Sequence, residues 1–317
     1  MARIVVSGRV PAAALELLQT VGDTWMWDAA DPVPSDVLAA QLGDAEALVA
    51  VFARADRAVL DAAPNLKVVA NVAVGYDNVD VAECTARGIR VTNTPGVLTD
   101  ATADIAFGLL LSVTRRLGEA ERLLRSGTPF RWGFETLLGT GLQGRRLGVV
   151  GMGEIGAAIA RRARAFGMSV VYHNRRAVDA AVEAELDARL LALDELLATS
   201  DVVSLNCPYT PATHHLIDAA ALAAMQPTAF LVNTSRGKVV DEAALVAALR
   251  AGTIAGAALD VFEHEPEIHP GLLELDNVAL APHIGSATVE TRTAMAVLAA
   301  RNAVAVLAGE QPPTPVN

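Results

Sequence analysis

Three apolar runs late in this chain each lead into a polar group able to take part in chemistry. Ala229–Asn233 runs into Thr234-Ser235-Arg236-Gly237, and Gly256–Leu259 into Asp260-Val261-Phe262-Glu263-His264-Glu265-Pro266. Val278–Leu280 runs into Ala281-Pro282-His283-Ile284-Gly285-Ser286. Histidine is the side chain that changes charge near neutral pH, so His283 suits proton exchange with an oxygen, as acid in one direction and base in the other. A carboxylate at Glu265 would favour imidazolium and orient the ring. Arg236 presents a planar fork for a substrate carboxylate or a carbonyl oxygen. The set fits interconversion of a carbonyl and an alcohol, in which carbon exchanges a hydride while oxygen exchanges a proton.

The hydride carrier is announced earlier. Arg146–Arg176 reads RLGVVGMGEIGAAIARRARAFGMSVVYHNRR. A short apolar strand is followed by Gly151, Gly153 and Gly156, then by an alanine-rich helical pattern and a second strand at Met168–Tyr172. In G-x-G-x-x-G the first glycine allows the turn, the second lets backbone approach a pyrophosphate, and the third lets helix and strand pack closely. The helix start offers unpaired N–H groups and a positive dipole end to the phosphates, and Glu154 and Ile155 lie in that first turn. An acidic residue about 20 positions on usually binds a ribose 2′-hydroxyl. Here His173, Asn174, Arg175 and Arg176 stand instead, with no acid until Asp179. Two guanidiniums suit a 2′-phosphate, so NADP(H) is the preferred cofactor and NAD(H) the alternative.

These residues need parallel sheets to carry them. Strands are expected at Arg3–Ser7, Ala47–Val51, Val68–Val72 and Ile89–Thr92, with helices at Pro11–Thr20, Ser35–Leu42, Arg57–Ala63 and Val79–Arg87, which makes the first ninety-odd residues one small α/β domain. Past Pro95-Gly96, Asp100–Leu124 reads as a single long apolar helix suited to lie between domains or subunits. Arg125–Arg145 is glycine-rich and irregular; its Phe130, Trp132 and Phe134 suit either a dimer contact or a loop folded over its own core. Further strands are expected at Val202–Leu205 and at the three runs named above, and a helix Thr288–Leu307 follows, with Arg292 and Arg301 on its wet face.

With 317 residues the chain has room for two domains, and its net charge of −11 argues against nucleic acid or an acidic membrane face as partner. The two cysteines, Cys84 and Cys207, are far apart. They form no disulfide framework and no metal-ligand cluster, so no metal is expected and a reducing cytoplasm is the expected setting. No apolar stretch reads as a signal peptide or a membrane span.

Six motifs, VAVGYDNVD (Val72–Asp80), NTPGVLTDATAD (Asn93–Asp104), GMGEIG (Gly151–Gly156), NTSRGKVVDE (Asn233–Glu242), DVFEHEP (Asp260–Pro266) and APHIGSAT (Ala281–Thr288), follow in one order. Through them the chain resembles the D-isomer-specific 2-hydroxyacid dehydrogenase family across nearly its full length, and within it the glyoxylate/hydroxypyruvate reductases. The resemblance implies that Arg236, Glu265 and His283 are catalytic and that N–H groups around Val74 and Gly75 bind the substrate carboxylate. It implies that Thr102, Cys207, Pro208, Thr234 and Asp260 line the cofactor, in a set completed by Thr213, Ser235, His283 and Gly285. It also implies a doubly wound Rossmann domain, 98–285, inserted in a smaller flavodoxin-like α/β substrate domain, 1–97 with 286–317, and a homodimer formed through the insert. Phe52, just past the second expected strand, which ends at Val51, is the expected far wall of the substrate site, with Arg54 beside it; both residues equally suit ordinary roles, as core and as a solvated loop charge. The expected activity is NADPH-preferring reduction of glyoxylate or hydroxypyruvate. The alternatives are a dehydrogenase for a bulkier 2-oxo acid and, from another class, a dinucleotide-sensing corepressor, against which the lack of a basic or disordered tail speaks.

Overall fold

A computed structural model describes residues 1–317. The chain divides into two compact units, Met1–Leu98 with Ser286–Asn317, and Thr99–Gly285.

In the first unit β1 (Ala2–Val6), β2 (Gly22–Met26), β3 (Ala47–Ala50), β4 (Val68–Asn71) and β5 (Arg90–Thr92) form one parallel sheet in the order β2-β1-β3-β4-β5. Successive strand residues face opposite sides, so apolar runs bury both faces. Ile4, Val6, Val49 and Val68 pack with Ala14 and Leu18 of one helix and Ala296, Ala299 and Ala303 of the final helix, Val289–Leu307. Val5, Leu48 and Val69 pack on the other side with Leu38, Leu42 and Leu60. The small alanines of the final helix let it lie close to the sheet, and Thr288 caps it by accepting from Thr291 N. Arg292 and Arg301 lie exposed on its outer face.

The second unit holds β6 (Arg146–Val150), β7 (Ser169–His173), β8 (Ala188–Leu190), β9 (Val202–Leu205), β10 (Phe230–Asn233), β11 (Gly256–Leu259) and β12 (Val278–Leu280). They form a parallel sheet in the order β12-β11-β10-β9-β6-β7-β8. Strand order reverses between β6 and β9, and in open α/β sheets ligands bind beyond the carboxyl ends at such a point. Helices Thr99–Thr114 and Glu154–Ala165 cover one face; Leu193–Thr199, Ala219–Ala224 and Glu242–Ala251 cover the other. The doubly wound reading of the sequence holds. No helix is long and apolar enough to cross a membrane.

The single helix expected over 100–124 is two, Thr99–Thr114 and Leu117–Arg125. Arg116 between them has φ 55°, in the left-handed region. The Thr114 hydroxyl donates to the Leu110 carbonyl at 2.8 Å, and the Thr114 carbonyl accepts from Thr140 N at 2.8 Å, a bond that a continued helix would have made with its own next turn. A Cβ on Gly139 would collide with that same carbonyl, so a glycine is needed for the loop to end the helix. Helix Leu117–Arg125 then buries no residue at all. The following loop is not folded over the unit's own core either: Trp132 is 94% and Phe134 100% exposed.

Candidate active site

At the carboxyl ends of β10, β11 and β12 the sheet gathers Arg236, Glu265 and His283. Nδ1 of His283 lies 2.8 Å from one Glu265 oxygen, and the other accepts from Phe262 N at 2.9 Å. Burial pushes the Glu265 carboxyl upward, but the bonds from His283 and Phe262 N–H and the charges of His283 and Arg236 outweigh it and hold it below its ordinary range. Glu265 is therefore an acceptor at neutral pH. The imidazole must supply the proton at Nδ1, which leaves Nε2 for exchange with a ligand. His283 is held at φ 54°, and its backbone N–H donates to Asp260 O at 2.8 Å. Left-handed backbone in a non-glycine residue costs free energy and persists where surroundings over-determine it.

Asp260 supplies that determination. Its buried carboxylate accepts from Ile284 N at 2.8 Å and Gly285 N at 2.7 Å, fastening the histidine loop to the end of β11. Burial raises its carboxyl above the usual range despite those two N–H donors. A Cβ at Gly285 would meet Asp260 Oδ2 at 3.1 Å and Thr102 Cγ2 at 3.4 Å, so Thr102, Asp260 and Gly285 form one tight cluster. The arginine loop is set by Asn233, whose Oδ1 accepts from Ser235 N and Oγ and whose Nδ2 donates to Arg236 O. Ser235 is thus turned toward Asn233, while Arg236 Nη1 donates to Ser235 O at 2.8 Å. A Cβ on Gly237 would run into the Phe262 carbonyl, so this glycine lets the arginine and glutamate loops touch backbone to backbone.

The glycine turn sits beyond β6. Gly151 has φ 95°, and a Cβ there would lie 2.6 Å from Cys207 N; at Gly156 it would crowd the Gly151 carbonyl. At Gly153 it would meet nothing within 4 Å, and no side chain caps the helix that begins there. Open space over uncapped N–H groups fits a pyrophosphate. Asn174 is not a loose loop residue: its Oδ1 accepts from Met152 N at 2.7 Å and its Nδ2 donates to Met152 O, so it braces the turn from β7. Arg175 and Arg176 lie exposed past it and form no ion pair. Beyond β9, Thr213 accepts from Thr210 N and donates to Pro208 O, which folds the Pro208–Thr213 loop back on itself. Cys207 is half-buried, and burial pushes its thiol up to about 11. The buried Thr234 Oγ1 and Asn206 Oδ1 have no partner, and both lie just past strand ends, those of β10 and β9. Asn206, Asn233 and the bracing role of Asn174 were not foreseen; the available signal is an asparagine where a buried strand ends.

The first unit has its own ordered loop. The carbonyls of Ala73, Val74 and Gly75 accept from Thr94 N, Asn93 Nδ2 and Asn71 Nδ2 respectively. With the carbonyls engaged, the N–H groups of Val74 and Gly75 are left for another acceptor. Asn78 joins this loop to the next by donating to Ala53 O and Asn71 Oδ1. Phe52 there is not core: it is 74% exposed at φ 55°, with the Arg292 guanidinium 5.9 Å from its ring centre. Arg54 is exposed. A hollow of about 250 Å³ lies beside Phe52, lined with apolar side chains including Val33, Leu38, Val51 and Val59.

Residues 107–285 match the family model of the D-isomer specific 2-hydroxyacid dehydrogenase, NAD binding domain. A glyoxylate reductase of Thermococcus onnurineus is 49% identical over 320 residues, covering 99% of this chain and 96% of its own length. A solved protein of Thermus thermophilus superposes with TM-score 0.93 at 46% identity, covering 99% of this chain and 100% of its own. The NADPH-dependent glyoxylate/hydroxypyruvate reductase of Sinorhizobium meliloti, solved with NADP and malonate, does so with TM-score 0.86 at 40% identity, covering 99% and 96%. The chain belongs to the D-isomer-specific 2-hydroxyacid dehydrogenase family. It is an NAD(P)-dependent oxidoreductase.

Proposed function

We propose that this enzyme reduces small 2-oxo acids, glyoxylate and hydroxypyruvate foremost, to D-2-hydroxy acids, with NADPH preferred over NADH. The observation that carries the reading is the Glu265–His283 pair at 2.8 Å, with the glutamate loop packed against the one that bears Arg236. When bound, the cofactor supplies a hydride to the 2-carbon. His283 donates the proton that the 2-oxygen takes up, from the nitrogen not engaged by Glu265. Glu265 keeps the ring oriented by accepting from Nδ1. Arg236 holds the substrate carboxylate and draws density from the carbonyl. The N–H groups of Val74 and Gly75 are assigned to a carboxylate as well. The glycine turn with Glu154 and Ile155 takes the pyrophosphate, and Thr102, Cys207, Pro208, Thr213, Thr234, Ser235, Asp260 and Gly285 flank the rest. On this reading 98–285 is the nucleotide domain and 1–97 with 286–317 the substrate domain.

Four further assignments accompany it. Arg175 and Arg176, unpaired and exposed beyond β7, support selection of a 2′-phosphate, as does the NADPH-dependent relative. Trp132, Phe134 and a helix with no buried residue support a homodimer in which a second copy covers them. Phe52 is assigned as the wall that limits substrate length. The two unpaired cysteines suit a reducing cytoplasm.

The test is a nicotinamide-absorbance assay with glyoxylate, hydroxypyruvate, pyruvate and 2-oxoisocaproate, each with NADPH and with NADH. Glyoxylate and hydroxypyruvate with NADPH are expected to give the highest kcat/KM. A lead for 2-oxoisocaproate would assign the enzyme to bulkier acids, and a lead for NADH would remove the role given to the arginine pair.

A further inference from the structure

The loop bearing Glu265 is tied to the segment bearing Arg236 by side chains that the proposed chemistry leaves unused. Glu263 places one oxygen 2.7 Å from Nε2 of His215, while its other oxygen accepts from Glu242 N at 3.4 Å. In return a Glu242 oxygen accepts from Glu263 N at 2.6 Å. Each glutamate thus bonds the backbone of the other, across 21 positions of sequence. Glu242 opens the helix that follows the arginine loop, and it is buried. His215 engages both partners: its backbone N–H donates to Lys238 O at 2.9 Å, two residues past Arg236, while its ring reaches Glu263. The ring is itself fixed, stacked on His214 at 4.0 Å between centroids and with Nδ1 4.0 Å from Asp241 Oδ2. Its backbone sits at φ 48°, in the left-handed region.

Desolvating ionisable groups is costly, and apolar residues would join two loops at least as firmly. What a directional lock adds is register. The bonds fix Phe262–Glu263 against Gly237–Glu242, and Phe262 N is the group that holds the Glu265 oxygen not engaged by His283. We propose that Glu263, with His215 and Glu242, is a positioning residue. It sets the separation of Arg236 and Glu265 and, through Glu265, the orientation of the His283 ring. The proposal rests on the reading that these three residues carry the reaction.

The test uses the full-length protein with Glu263→Ala, His215→Ala and His215→Gln, the last keeping an N–H donor toward Glu263. Glu263→Ala is expected to lower kcat by about 10- to 100-fold and to raise the 2-oxo acid KM, since misplacements near 1 Å have effects of that size. NADPH affinity, read by fluorescence titration, should stay near wild type, while the thermal midpoint falls modestly because Glu242 N and His215 Nε2 lose their partner. His215→Ala should fall in the same direction, and His215→Gln should recover most of the loss. Ring ¹⁵N spectra of the unliganded protein add a readout independent of turnover: the His283 Nδ1–H signal should move in Glu263→Ala and return in His215→Gln. Unchanged kcat in Glu263→Ala, no recovery with glutamine, or loss of cofactor binding together with folding would each overturn the proposal. If wild type reduces none of the 2-oxo acids while the His283 signal follows this pattern, the functional reading fails and the positioning role stands.

Discussion

Beyond the carboxyl ends of β10, β11 and β12, the polar groups other than Thr234 Oγ1 are taken up by neighbours within the same unit. Asn233 holds the arginine loop, Asp260 the histidine loop, and Glu265 the histidine ring. Beyond β6 and β7 groups are left over: an uncapped helix start, open space at Gly153, and two exposed arginines. The difference is the one that the proposed roles of the two edges require. Proton transfer needs protein groups in fixed mutual geometry, so their bonds are made in advance. A phosphate site needs donors that wait for their acceptor, and pairing them internally would close it.

Substitutions on the two edges should therefore fail in different ways. The largest effect is expected for His283→Ala, with kcat lowered by about 10²- to 10⁴-fold and NADPH affinity retained, as single-turnover kinetics and a binding titration would report. Gly237→Ala comes next. Its Cβ has no room against Phe262, so kcat/KM should drop by about 100-fold. Denaturant unfolding should show a loss of about 1–3 kcal/mol. On the open edge, Arg175→Ala with Arg176→Ala should weaken NADPH by about 10- to 100-fold, from charge-assisted bonds worth roughly 1.5–3 kcal/mol, and leave NADH unchanged. Equal loss for both cofactors would erase the contrast between the arginines and the turn.

Gly153→Ala separates stability from binding. With φ −94° and empty space at its Cβ, the alanine should stabilise the unliganded protein by about 0.4–1 kcal/mol, measured as unfolding midpoint, yet weaken NADPH. Gly151→Ala, at φ 95° and against Cys207, should destabilise instead. The smallest effect concerns acid. The Glu265 carboxyl is depressed in the folded state, so its contribution is present above the unfolded value near about 4.3 and lost as pH falls through the lower folded value. Wild type should lose more stability than Glu265→Gln below that pH, by a margin kept small by the pair's solvent exposure. An identical acid limb in the variant would count against the pairing.

Much of this edge was legible because burial on both faces writes continuous apolar runs: β9, β11 and β12 are read to the residue, and the polar groups that follow them mark the site. The outer strands were not. Gly22–Met26 is only partly buried and Ala188–Leu190 is three residues long, so neither leaves a period to find. The break at Arg116 depends on a loop arriving more than twenty residues later, which no local pattern carries. The asparagine braces and the Glu242–Glu263 lock are long-range hydrogen bonds, and sequence shows such residues only as polar positions beside strands.

Cys207, packed beside Gly151, carries a further consequence. Burial holds its thiol at about 11, and burial with the charges of Asp80 and Glu83 brings Cys84 to about 11 as well. Only the thiolate reacts readily with peroxides and electrophiles, and a thiol with that value is ionised in about one molecule in ten thousand at neutral pH. The chain thus carries beside its glycine turn a sulfur that stays a protonated thiol at neutral pH, and Cys207 of the folded enzyme should be alkylated far more slowly than an exposed, acidic thiol.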